Sequence, residues 1–140
     1  MDLKSYQKPL TLVGFLWSLP VTLVGVLAAL LSAPTFRFHD GMVVCRSNRG
    51  LAHLLLNRRG FAAITLGRIL IATKDLSHHL WNHEIEHARQ AQVWGILYIP
   101  TYLVLQARHG YRQNPFEVSA REVADQFKSD NPALAVQIEA

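Results

Sequence analysis

Residues 78–90 read His78-His79-Leu80-Trp81-Asn82-His83-Glu84-Ile85-Glu86-His87-Ala88-Arg89-Gln90. Within them His83, Glu84 and His87 form the pattern H-E-x-x-H. Residues four apart lie one above the other on an α-helix, so both imidazoles can reach one ion. Glu84 lies about 100° further round the helix. It is badly placed to share the ion and well placed to take a proton from a water beside it. The pattern therefore predicts a helix with His83 and His87 as zinc ligands and Glu84 as general base. Asp75 or Ser77 can cap this helix, which should run to about Trp94, where Gly95 interrupts it. Leu80, Glu84, Ala88 and Ala91 share one face with the two histidines at its edge, and Asn82, Glu86 and Arg89 fall on the other side. His83, His87 and Glu84 should point inwards and Glu86 towards water.

Two histidines and a water leave room for a third protein ligand. Asn114-Pro115-Phe116-Glu117 opens a second helix that should end near Phe127. Its apolar face comprises Phe116, Ala120, Val123, Ala124 and Phe127. Glu117 lies at the edge of that face beside the two alanines, whose small size would let the metal helix come close. Glu117 is thus the expected third ligand. Glu122, its rival, falls nearly opposite. A second role competes for Glu117, because Asn114, Pro115 and Glu117 also suit the N-cap, N1 and N3 positions of a capping box. His79 continues the spacing of four, but His39, His53 and His109 are scattered singly, so a two-metal cage is not expected. His79 should face solvent or support the site from outside. Tyr98, Tyr102 and Tyr111 can each donate to a tetrahedral oxyanion, and the sequence does not choose among them.

Upstream, residues 10–33 carry no charge, and most are Leu, Val, Ala, Gly, Phe or Trp. About 20 such residues span a bilayer as a helix, and such helices tolerate a Pro like Pro20. A cleaved signal peptide fits less well, since its apolar core is shorter, about 7–15 residues, and the small-residue stretch here runs straight into Pro34. The expectation is a single-pass membrane anchor. Basic residues Lys4 and Lys8 precede it, and Arg37, Arg46 and Arg49 follow, a bias that slightly favours a cytoplasmic C-terminal domain. Residues 35–45 read as a hairpin turning at Asp40-Gly41, with Phe36 and Phe38 alternating with polar residues. Residues 51–58 form a helical patch, and residues 61–73 one or two strands with a bulge at Gly67. Residues 93–106 are a second uncharged run, too short to span and suited to a buried or interfacial helix. Half of the 140 residues are hydrophobic and 17% are charged, a low share that this apolar run explains. The net charge of +4 forms no basic stripe with interleaved aromatics, so no nucleic-acid partner is expected. Cys45 is the only cysteine, which excludes an intrachain disulfide.

His83-Glu84-x-x-His87-x-x-Gln90, Trp94-Gly95, Pro100, Tyr102, Tyr111 and Asn114-Pro115-Phe116-Glu117-x-x-Ala120 together resemble a group of small bacterial membrane proteins. The preceding run from Gly60 to Gly67 belongs to the same resemblance. The two metal-bearing helices alone are similar to those of gluzincin metallopeptidases, whose H-E-x-x-H is followed by a helix bearing a ligand Glu. The resemblance implies His83 and His87 as ligands, Glu84 as base and Glu117 as third ligand. It also implies a strand within residues 61–73 that pairs with extended substrate. One departure is Arg121, which stands where many gluzincins carry Asp, so the outer partner of a ligand histidine is unidentified.

The resulting expectation is an α+β chain. Residues 1–9 are a flank, 10–33 a transmembrane helix in the bacterial inner membrane, 34–128 a small zincin-like domain and 129–140 a frayed tail. Its expected cofactor is zinc, and its expected partners are the lipid bilayer and a peptide substrate or membrane-protein partner. The expected function is a membrane-anchored zinc metallopeptidase. The alternative is a non-enzymatic accessory subunit of a larger membrane complex with a structural zinc site.

Overall fold

A computed structural model describes residues 11–32 and 35–133. The expected flank and most of the expected tail lie outside the described residues. Ile69-Leu70-Ile71-Ala72 is the stretch around which the fold is built. Four consecutive apolar residues suit a strand covered on both faces, and these form β4 (Ile69–Ala72), buried throughout. β4 pairs in parallel with β2 (Met42–Arg46) and antiparallel with β3 (Ala63–Leu66); β1 (Thr35–His39) completes the order β1-β2-β4-β3. The expected hairpin is present between β1 and β2, with Asp40 and Gly41 both at positive φ in its turn, as a two-residue turn of that hand requires. Residues 61–73 form two strands. Gly67 is the first turn residue between them, at φ +63°, and not a bulge.

Successive side chains of β4 point to opposite faces. Ile69 and Ile71 pack with Ala28, Ala29, Cys45, Ala52 and Leu56, beneath α2 (Leu19–Leu30) and α3 (Gly50–Leu55). Leu70 and Ala72 pack with Met42, Ile85 and Ala88, beneath α4 (His78–Trp94). α6 (Pro115–Asp130) lies along α4, with Ala120 and Ala124 wholly buried. Ser77 caps α4 by accepting from the Leu80 amide at 3.2 Å, while Asp75 pairs with Arg46 at 2.7 Å. Gly95, at φ +54°, ends α4 and opens a short 3-10 turn into α5 (Tyr98–His109).

Within the expected transmembrane helix, the described residues 11–32 form no such span, and the single-span fold expectation is corrected. No helix among the described residues is long and apolar enough to cross a membrane. The run divides into α1 (Leu12–Trp17) and α2, of 6 and 12 residues. At about 1.5 Å per residue neither approaches the roughly 30 Å of a hydrocarbon core. Pro20 sits in the first turn of α2, where its missing amide proton costs nothing, so it starts a new helix. Small and polar residues then lay α2 on the sheet. A Cβ on Gly25 would stand 2.8 Å from Ile69 Cβ and from the Leu66 carbonyl oxygen, so only glycine allows this approach. Buried Thr22 Oγ1 accepts from the Arg68 amide at 3.2 Å, and buried Ser32 Oγ accepts from the Ala52 amide at 2.9 Å. Mean hydropathy alone registers neither the break nor the sheet-facing stripe.

Candidate metal centre

α4 and α6 bring His83, His87 and Glu117 together. Ala91 on α4 and Ala120 and Ala124 on α6 are buried, and their small size lets the helices lie close. The two imidazole Nε2 atoms lie 3.2 Å apart. Glu117 places Oε2 3.2 Å from His83 Nε2 and Oε1 3.3 Å from His87 Nε2. A tetrahedral ion with bonds of about 2.0–2.1 Å holds its ligand atoms about 3.3 Å apart, so these spacings suit one ion. Among the described residues, this is the group of His, Cys, Asp or Glu that could hold a metal. Glu117 Oε2 is buried without a well-oriented hydrogen bond, and an orphaned buried carboxylate oxygen is costly unless a cation answers it. The donor set of two imidazoles and a carboxylate fits zinc.

Glu117 is not closing a capping box. Asn114 Oδ1 caps α6 by accepting from the Phe116 amide at 3.1 Å, and the Glu117 carboxylate turns into the cleft, where the Tyr102 hydroxyl donates to Oε1 at 2.5 Å. Burial alone would push the Glu117 carboxyl up, but the histidines and Tyr102 outweigh it and hold it well below the usual carboxylate range. Glu122 is exposed. His79 bonds Asp125 at 2.8 Å and ties α4 to α6 outside the centre. Glu86 is half-buried and not fully in water as expected; it pairs with Arg89 at 3.4 Å, and burial raises its pKa.

Gln90 answers the question left by Arg121, whose guanidinium donates to the Arg112 carbonyl. The Phe116 carbonyl can only accept, so it fixes the Gln90 amide with Nε2 towards it, at 2.9 Å. Gln90 Oε1 then faces His87 Nδ1 at 2.9 Å and accepts its proton. That sets the tautomer that leaves the Nε2 lone pair towards the centre. The available signal was its position three residues beyond His87, on the same helical face. Gln90→Leu is expected to weaken metal binding about 10–100-fold while preserving the fold, as measured by competition with a zinc chelator.

Glu84 is 4% exposed and lines the same cleft. Thr65 on β3 donates its hydroxyl to Glu84 Oε2 at 2.7 Å. Thr65 sits opposite Leu70 in the register and so faces α4. No sequence motif marks it, because the contact depends on strand register. Tyr98 lies 3.3 Å from His87 Nδ1, and Tyr111 lines the mouth of the cleft. Burial, with the Glu117 charge, pushes the pKa values of Tyr98, Tyr102 and Tyr111 up, so all three stay protonated. The cleft encloses about 220 Å³ and is walled by apolar residues including Leu56, Phe61, Ile64, Ile99 and Leu103. β3 is an edge strand, and its residues Ala63 to Leu66 line one side.

Burial would lower the His87 pKa, but the hydrogen bond to Glu117 and the charges of Glu84 and Glu117 outweigh it and raise it. In the metal-free protein, the proton on His87 therefore stabilises the fold at low pH. That contribution fades as pH rises through the raised value. A metal needs the same nitrogen unprotonated. Calorimetric titration at several pH values should show zinc affinity rising with pH, including above the ordinary imidazole value of about 6.5, with proton release on binding.

No family model, curated protein sequence or solved structure matches this chain. The functional reading rests on the residues themselves.

Proposed function

We propose that this chain is a zinc-dependent peptidase that hydrolyses peptide bonds at the base of the cleft. The observation that carries the reading is the buried His83–His87–Glu117 triad with Glu84 held beside it by Thr65. His83, His87 and Glu117 would hold the ion, and Gln90 and Tyr102 orient His87 and Glu117. A zinc ion held there supplies Lewis acidity, polarising a carbonyl and lowering the pKa of a water to about 7. Glu84 accepts the proton of the attacking water on its carboxylate and delivers it to the leaving amine. Thr65 keeps one carboxylate oxygen fixed, which leaves Oε1 for that transfer. Tyr98, Tyr102 and Tyr111 line the cleft, and each carries a hydroxyl that can donate to the developing oxyanion. The free edge of β3 offers backbone groups to an extended peptide, and the apolar walls favour apolar side chains.

Purified full-length protein is expected to cleave an unstructured casein substrate, to lose that activity on chelation and to regain it with stoichiometric zinc. Retained zinc with no cleavage by the wild type, across a peptide library, would move the site to a structural role.

A further inference from the structure

α2 is apolar on both sides. Val21, Gly25, Ala28 and Ala29 face inwards, while Leu23, Val24, Leu27, Leu30 and Leu31 form an outer stripe at helical spacing. Leu27 is 60% exposed and Leu30 64%. Leu12, Val13 and Leu16 extend this surface on α1. Trp17 of α1 donates to the Val93 carbonyl at 3.3 Å and abuts Gly95, which joins the surface to exposed Ile96 and Leu97 and onward to Leu103 and Val104 of α5. An apolar face extending over several elements exceeds what monomeric proteins ordinarily leave to water.

Charge decides what covers it. α1, α2, the 3-10 turn and α5 contain no Asp or Glu. Their margins carry Arg49, next to the α2 terminus, Arg58 and Arg59 after α3, and Arg108 at the end of α5. None of these arginines forms an ion pair among the described residues. Arg68, beside α1, donates from its two terminal nitrogens to the Gly41 and Thr11 carbonyls and to Gln92 Oε1, its buried Nε has no partner among the described residues, and no carboxylate answers it. A second copy would bring arginines together with no acid on the face to oppose them. An apolar face with a cationic margin matches the interface of an anionic bilayer.

We infer that the outer face of α1, α2 and α5 docks in the plane of an anionic lipid surface, with the protein lying on the membrane and not crossing it. Trp17 and Trp94, both half-exposed on this face, sit at headgroup depth, where indoles are favoured. Leu103 belongs to both this face and the cleft wall, so the docked protein holds the cleft at the lipid surface. The inference is independent of the chemistry proposed above.

Flotation of the full chain with vesicles of phosphatidylcholine alone, or of equal parts phosphatidylcholine and phosphatidylglycerol, tests it. The wild type should float with both and more strongly with the anionic mixture. Replacing Leu23 and Leu27 together by Glu should weaken binding on the order of a hundredfold or more. Arg58→Gln with Arg59→Gln should reduce only the preference for phosphatidylglycerol. Quenching of wild-type tryptophan fluorescence by lipids brominated near the headgroup provides a test without any variant. Failure of the wild type to float, unchanged floating of the Leu23/Leu27 variant or unquenched tryptophans would overturn the inference. A concentration-dependent dimer that binds no vesicle would assign the face to a second copy and overturn it equally.

Discussion

Glu84→Gln is expected to keep the metal and lose turnover. The amide keeps the size of the carboxylate and can still bond Thr65 Oγ1, which lies 2.7 Å from Oε2 in the native protein. It cannot accept a proton from the attacking water. His83, His87 and Glu117 are untouched, so zinc content should match the wild type. The rate kcat/KM should fall by about 10²–10⁴-fold, the usual worth of a positioned general base, and KM should change little, because Glu84 acts on the reacting water and not on the peptide chain. Single-turnover assays with equal zinc loading check this. Activity at the wild-type level in the variant would remove Glu84 from the chemistry.

The second large effect is expected from Glu117→Ala. Glu117 is 3% exposed and supplies the single anion between two imidazole nitrogens. Its loss should reduce zinc affinity by more than the roughly 10–100-fold typical of an outer partner. In the metal-free protein it should also cost stability, because His87 loses its hydrogen-bonding partner and Tyr102 its acceptor. Removing one member of a buried ionic group costs about 3–5 kcal/mol, visible as a lower midpoint in chelator-treated denaturant melts. Glu122→Ala, on the exposed side of the same helix, should change neither quantity. This contrast separates the ligand role from any general effect on α6.

The centre was legible in the sequence wherever it depends on local helical geometry. His83 and His87 need only a spacing of four on α4, and Glu117 follows from the apolar face of α6. What the helix face left open was whether Glu117 turned back to cap its own helix. The Asn114 cap is local and expected from the sequence, whereas the turn of the carboxylate into the cleft towards Tyr102 is a tertiary fact. Thr65 was not legible, because its partner depends on strand register, and a slip of one residue would turn it away from α4. Residues 10–33 were misread for a different reason. Composition describes what a segment contains and not what it packs against. Pro20, Gly25, Thr22 and Ser32 mark a broken helix fitted to a sheet, yet the same run leaves an outer stripe as apolar as a lipid-facing helix. The apolar residues behind the membrane expectation are present, but on two short helices that do not span a bilayer.

The central claim is that His83, His87 and Glu117 together hold one zinc ion. The most direct measurement is zinc stoichiometry of the purified full chain, by elemental analysis, for the wild type beside His87→Ala. The account expects one zinc per chain in the wild type and essentially none in the variant after dialysis against a mild chelator. Equal zinc content in the two proteins, or no zinc in a folded wild type supplied with it, would contradict the account.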